Sequence, residues 1–127
     1  MPMKADLWFP TVIWNDHLKD VNNSDLKEYV EKLAQEDKEG KVASNYGGWQ
    51  SKSFEILDEK PLAIERFMHS LQRCINECTK MAGMPDLIIS DYWWNINYHK
   101  DYNQPHNHRD SMLSGVYYCL LYTSPSP

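Results

Sequence analysis

LIISDYWWNINY, residues 87–98, does more than any other segment to indicate the fold class of this chain. It is rich in aromatic and β-branched residues, which favour strands because they pack well on a pleated surface. Side chains alternate between the two faces of a strand, so Trp94 and Ile96 face one way while Trp93 and Asn95 face the other. The segment is therefore predicted to form a strand with one apolar and one polar face.

Two amphipathic helices are predicted before this strand. The first extends from about Ser24 to Gln35, because a cluster of capping residues is followed by apolar residues at helical spacing. The second begins at Pro61, carries apolar residues with a period of about 3.6, and ends near Gly83. This second helix should bury its apolar stripe against a sheet.

The other strand signals lie towards the two ends of the chain. Leu7–Trp14 is aromatic and β-branched and contains Pro10, so it is predicted to be a short edge strand. Met112–Tyr118 is predicted to be a further strand, after the polar turn His99–Gln104. Because helices mostly precede strands, the order is typical of an α+β fold rather than of a parallel βαβ array.

Length and charge limit the possible functions. Charged residues make up 24% of the 127 residues, and the formal net charge of −5 provides no basic field, so no nucleic-acid binding is indicated. No apolar run approaches the roughly 18 to 20 residues that span a bilayer, and the first residues lack the apolar core of a secretory signal. We therefore expect a soluble protein without a membrane partner, located in the cytoplasm, or in the host cytoplasm if it is viral.

The segment Pro105–Asp110, PHNHRD, carries the candidate metal ligands. Residues i and i+2 of an extended backbone point to the same side, so His106 and His108, or His108 and Asp110, can present two ligand atoms to one ion. Imidazole and carboxylate suit iron(II), and a site with two or three protein ligands leaves positions open for an oxidant and a cosubstrate. Such a polar loop can also be simply solvated, so the triplet alone leaves both interpretations open.

Six sequence blocks occur in one order along the chain, and together they resemble a known family. The blocks are Phe9–Trp14, Ser44–Ser51, Trp94–Asn97, Asp101–Asn103, His106–His108 and Leu113–Tyr118. They look like those of the 2-oxoglutarate- and iron(II)-dependent oxygenases common in bacteria and their viruses. The resemblance covers Leu7 to Tyr118 and implies N-terminal helices packed on a double-stranded β-helix, a jelly-roll or cupin-like core.

The resemblance also implies a metal site and a cosubstrate. The family pattern, His-x-His before Leu-Ser-Gly-Val-Tyr-Tyr, implies iron(II) contact at His106 and His108, with Asp110 as the competitor for the second position. The implied small-molecule cosubstrate is 2-oxoglutarate, whereas the primary substrate and the oligomeric state stay open.

Several residues of the predicted strands are candidates to line the cleft. Those predicted to contact the cosubstrate are Asn95, Asn97 and Tyr117, and the further candidates are Trp94 and Tyr118. The alternation of core and surface residues in two strands explains each of these positions at least as well.

Two positions depart from the family pattern. Lys100 stands where a glycine is expected before Asp-Tyr-Asn, and Arg109 stands where a proline is expected. Both lie in turns rather than at the ligands, so they bear on the loop geometry and on whether His108 or Asp110 completes the ligand pair.

The end of the chain lacks two groups that the resemblance implies, a later histidine as third metal ligand and a basic residue that anchors the cosubstrate. After Tyr118 only nine residues follow, CLLYTSPSP, without His, Arg or Lys. Their codons can all be matched in frame to a transposase adapter used in sequencing libraries, so residues 119–127 are expected to be an adapter-encoded tail. The alternative is a genuine Ser/Pro-rich C-terminus.

With that tail set aside, residues 1–118 are expected to be the N-terminal part of a single oxygenase domain. An incomplete barrel leaves strand edges unpaired and apolar faces uncovered. The chain as written is therefore expected to be unstable and inactive.

Two other functions compete with that of an oxygenase. A non-catalytic jelly-roll binding module would keep the fold and lack turnover. A zinc hydrolase would need three protein ligands and a general base near the histidines, and no Glu lies near the His motif. The sequence therefore favours an iron(II)- and 2-oxoglutarate-dependent dioxygenase, a hydroxylase of unknown substrate.

Overall fold

The computed structural model describes residues 2–119, which contain two helices and six two-residue strands. In chain order these elements are α1 Asn23–Glu36, β1 Asn45–Tyr46, β2 Trp49–Gln50, β3 Phe54–Glu55, α2 Leu62–Ala82, β4 Asp91–Tyr92, β5 Asn95–Ile96 and β6 Tyr102–Asn103. The strands pair only in antiparallel fashion within this range. The mixture of helices and small antiparallel sheets is compatible with the predicted α+β class.

Helix α1 begins and ends within two residues of its predicted bounds. The side chain of Asn22 caps it by accepting a hydrogen bond from the Asp25 backbone N–H, at 3.2 Å. Leu26 and Val30, one helical turn apart, are its buried residues. The structure therefore confirms the helix that the capping cluster and the apolar spacing predict.

Helix α2 also matches its prediction. It follows Pro61 and ends at Gly83, whose φ of 64° is left-handed. The next N–H, that of Met84, donates to the Thr79 carbonyl at 2.9 Å and so satisfies one carbonyl of the last turn. Ile64 and Phe67 are among its buried residues, so the apolar stripe faces inward as expected.

The six strands form one interrupted antiparallel ribbon, defined here as residues 45–55 paired with residues 91–103. In it β1 pairs with β6, β2 with β5, and β3 with β4. At the first interruption Gly47 and Gly48 lie opposite the five residues 97–101. Both glycines have positive φ, and a Cβ on Gly48 would lie 2.7 Å from the Ile96 carbonyl oxygen, so no other residue fits there without displacement.

A small core joins the helices to one face of the ribbon. Its buried members are Leu26, Ile64, Phe67 and Met68. Trp94 packs against this core, with its ring centroid 5.9 Å from that of Phe67. The prediction that Trp94 lies on the apolar face of residues 87–98 is therefore confirmed.

Trp49, in the middle pair of strands, connects the ribbon to the end of α1. Its indole Nε1–H donates to the carbonyl oxygen of Asp37, just beyond the helix, at 2.7 Å. Gly40 makes this contact possible, because a Cβ there would lie 2.7 Å from the same indole nitrogen. Its φ of 61° is likewise one that glycine adopts at little cost.

The strand predictions are only partly correct. Residues 87–98 contain the short strands β4 and β5 instead of one long strand, and neither Leu7–Trp14 nor Met112–Tyr118 lies in a strand. A strand requires a neighbour that satisfies its backbone groups, and within residues 2–119 neither segment has one. Leu7 and Phe9 are accordingly 85% and 94% exposed.

The finer prediction, a double-stranded β-helix, is not found among the described elements. The ribbon pairs two segments only, and no described strand closes it into a barrel. Separately, no described helix combines the length and apolarity needed to cross a membrane.

Candidate metal centre

The two faces of the ribbon have different surroundings. Trp94 faces the helices, with its ring centroid 6.0 Å from that of Tyr29. The preceding residue, Trp93, packs instead against the imidazole of His108, with the ring centroids 5.7 Å apart. Because adjacent side chains of extended backbone point to opposite faces, the histidine motif lies on the side of the ribbon away from the helices.

The motif places two imidazoles together. Nε2 of His106 lies 3.1 Å from Nε2 of His108, and the two rings meet edge to face with their centroids 4.8 Å apart. His106 is exposed, whereas His108 is half-buried. The i, i+2 spacing thus brings the first of the two predicted ligand pairs within reach of one ion.

The hydrogen bond at Nδ1 indicates the tautomer of the neutral His106 ring. Nδ1 lies 2.7 Å from the carbonyl oxygen of Gln104. A carbonyl oxygen only accepts hydrogen bonds, so Nδ1 carries the proton and donates it. In the neutral ring Nε2 then holds a free lone pair, which is the state that metal-ligating histidines adopt.

The spacing of the pair fits a six-coordinate ion. Two nitrogens bound at about 2.1 Å and about 90° apart are separated by about 3.0 Å, close to the 3.1 Å between the Nε2 atoms. The same distance also permits a hydrogen bond from a protonated His108 Nε2 to the His106 lone pair. The distance between the two nitrogens is therefore compatible with the iron(II) that the resemblance implies, and metal binding would replace that hydrogen bond.

Asp110 does not join the pair. The backbone turns after His108, where the Ser111 N–H approaches the His108 carbonyl oxygen at 3.3 Å, so the extended geometry assumed for His108 and Asp110 is absent. Asp110 is exposed in this turn. Across residues 2–119 no three His, Cys, Asp or Glu side chains come close enough to hold one ion.

The predicted cosubstrate residues are placed in two different surroundings. Asn95 is exposed on β5, and the Asn97 side-chain amide donates to Asn103 Oδ1 at 3.4 Å. Tyr117 instead lies against the helices, where its hydroxyl donates to Asn23 Oδ1 at 2.6 Å and burial raises its pKa. The structure therefore does not bring these three together, and their contact with a cosubstrate stays a prediction.

The loop before the motif carries the first departure from the family pattern. Lys100 has a φ of 72°, a left-handed conformation that glycine adopts without strain. The turn is closed by Asp101, whose Oδ2 accepts the Tyr98 backbone N–H at 2.9 Å. The backbone thus has the shape for which a glycine is expected, although a lysine occupies it.

Two residues important to this geometry were not singled out from the sequence. Trp93 could have been, because the predicted alternation already put it on the polar face. Gln104 acts through its backbone carbonyl, for which no side-chain pattern exists.

Gln50, in β2 directly opposite Asn95, was not singled out from the sequence either. Side chains of directly opposed residues share a face of the sheet, so Gln50 shares the face that carries Asn95. It is 6% exposed, and its Oε1 has no hydrogen-bond partner among the described residues. This leaves a buried acceptor unsatisfied on that face.

Comparison with protein-family models, with curated proteins and with solved structures finds no match to this chain.

Proposed function

We propose that His106 and His108 are two of the protein ligands of an iron(II) centre, and that the protein is a 2-oxoglutarate-dependent dioxygenase that hydroxylates its substrate. The observation that carries the proposal is the 3.1 Å approach of the two Nε2 atoms, with His106 held in the ligating tautomer by Gln104. The resemblance of the six sequence blocks supplies the reaction class. Asp110 is the remaining candidate for a further ligand.

The chain's own groups would bind and orient in this proposal. The Gln104 carbonyl keeps the proton on His106 Nδ1, so that Nε2 stays available as a ligand. The exposed side of His106 leaves room for a small cosubstrate beside the metal. Bound iron(II) and 2-oxoglutarate would supply dioxygen activation, converting a substrate C–H bond, dioxygen and 2-oxoglutarate into a hydroxylated product, succinate and carbon dioxide.

The proposal includes a larger fold than the ribbon. We propose that the ribbon is part of a double-stranded β-helix, the fold that the resemblance implies. In such a barrel the helix-facing side would be the outer wall. A crystal structure of the natural gene product tests this: further strands that close the ribbon into a barrel support it, and a ribbon that stays two-stranded contradicts it.

The ligand assignment is tested by isothermal titration calorimetry, in which iron(II) is added to the 127-residue chain without oxygen. We expect one ion per chain, and loss of binding in His106→Ala and in His108→Ala. His69→Ala is the matched control, since His69 is an exposed histidine on α2 and away from the motif. Asp110→Asn tests whether the carboxylate contributes.

Two results would contradict the assignment. Unchanged iron(II) binding in the two motif variants would remove the histidines from the site, and equal loss in the His69 variant would indicate nonspecific binding. The reaction class is tested in the natural gene product, where iron-dependent release of succinate from 2-oxoglutarate is expected. Hydrolysis with zinc, or metal binding without turnover, would favour the two competing functions instead.

A further inference from the structure

We propose that Trp93 is the positioning residue that orients the His108 imidazole for metal binding. The inference rests on the proposed iron(II) site and adds to it a residue that touches the ligand, not the metal. The observation that supports it is the packing of the Trp93 indole against the His108 imidazole, with centroids 5.7 Å apart and planes inclined by 37°.

The two imidazoles are held by different means. His106 is oriented by the hydrogen bond from Nδ1 to the Gln104 carbonyl. His108 Nδ1 makes no hydrogen bond among residues 2–119, so besides its contact with His106 only ring packing orients it. An imidazole that rotates freely loses conformational entropy when it binds a metal, and this loss weakens binding. A ligating histidine therefore binds more tightly when its second nitrogen or its ring face is already held in place.

Trp93 is suited to this task because its backbone is anchored. The neighbouring residue Trp94 donates its N–H to Ser51 Oγ and accepts the Ser51 N–H at its carbonyl, both at 2.9 Å. Trp94 is held further by the aromatic core around Phe67. The indole of Trp93 is therefore presented from the ribbon, while His108 lies on a loop that follows β6 and makes its backbone hydrogen bond within that loop, from Ser111 N–H at 3.3 Å.

The test uses cobalt(II) as the probe, added to the 127-residue chain and followed by calorimetry, which does not depend on tryptophan emission. We expect Trp93→Ala to weaken cobalt(II) binding about tenfold or more, as for other residues that orient metal ligands. Trp93→Phe keeps an aromatic ring against His108 and should bind within about threefold of the wild type. Trp8→Phe is the matched control, because Trp8 is 78% exposed.

Tryptophan fluorescence gives a second readout, which reports whether the bound ion lies close to the Trp93 indole. Cobalt(II) bound at His108 lies next to the Trp93 indole, so binding should quench part of the emission. That quenching should disappear in Trp93→Phe, although the ion still binds, and persist in Trp8→Phe. Circular dichroism of each variant establishes that the helices are retained, and the phenylalanine variant answers the question even if the alanine variant does not fold.

The outcomes separate this inference from the metal site itself. Equal cobalt(II) affinity in wild type and Trp93→Ala, with binding still lost in His108→Ala, would overturn the role of Trp93 and leave the site intact. Unchanged quenching in Trp93→Phe would also overturn it. Absence of cobalt(II) binding by the wild type would overturn the proposed site and, with it, the positioning role.

Discussion

Replacement of Lys100 by glycine is expected to stabilise the chain, although it removes a side chain. Lys100 has a φ of 72°. A left-handed conformation costs an L-residue with a Cβ roughly 1–2 kcal/mol, whereas the greater freedom of glycine in the unfolded chain costs roughly 0.5–1 kcal/mol. The difference predicts a gain of about 0.5–1 kcal/mol in the free energy of unfolding.

Urea unfolding followed by circular dichroism at low temperature measures this gain. A difference of this size changes the ratio of folded to unfolded molecules about two- to fivefold, which is readily measured near the midpoint of the unfolding transition. Lys38→Gly is the control, because Lys38 is exposed, lies outside the helices and has no positive φ; it should lose stability by about 0.5–1 kcal/mol. If Lys100→Gly lost as much as the control, the backbone strain at position 100 would be refuted.

Three other perturbations follow from the same structure. Gly48→Ala should destabilise the chain by about 1–2 kcal/mol or more, measured by urea unfolding, since its Cβ would lie 2.7 Å from the Ile96 carbonyl oxygen. Tyr117→Phe should cost about 1 kcal/mol in the same assay, because the hydrogen bond to Asn23 is lost. Burial raises the pKa of Tyr92 from 10.0 to about 12, so the folded chain holds this proton more tightly than the unfolded chain. Stability should therefore be intact below pH 10 and fall as the pH rises towards 12, and Tyr92→Phe should flatten that decline in unfolding curves measured across the range.

The helices could be predicted from the sequence because their signals are local. Asn22 caps α1, and Gly83 ends α2 in a left-handed conformation. Capping and apolar spacing act within a few residues, so no knowledge of the rest of the chain was needed.

The strands were predicted less well because pairing is not local. Met112–Tyr118 has the composition of a strand, but no described segment pairs with it. Residues 91–103 form strands only where residues 45–55 lie alongside. Composition reports the tendency to form a strand, and the partner decides whether one forms.

The candidate site, like the strands, was predicted only in part. The spacing of His106 and His108 correctly indicated that the two rings share a side, because their separation depends only on extended backbone between them. The turn after His108, which takes Asp110 out of the extended backbone, has a backbone hydrogen bond from Ser111 N–H to the His108 carbonyl that spacing does not predict. The contact with Trp93 joins residues fifteen positions apart and required the fold of the intervening loop.

The ligand set of iron in the loaded chain tests the central claim most directly. X-ray absorption of the 127-residue chain carrying one iron(II) should show two imidazoles bound to the metal, and the same two in the control His69→Ala. A shell of oxygen ligands alone, or a lower imidazole count in His69→Ala than in the wild type, would contradict the assignment of His106 and His108 as a ligand pair.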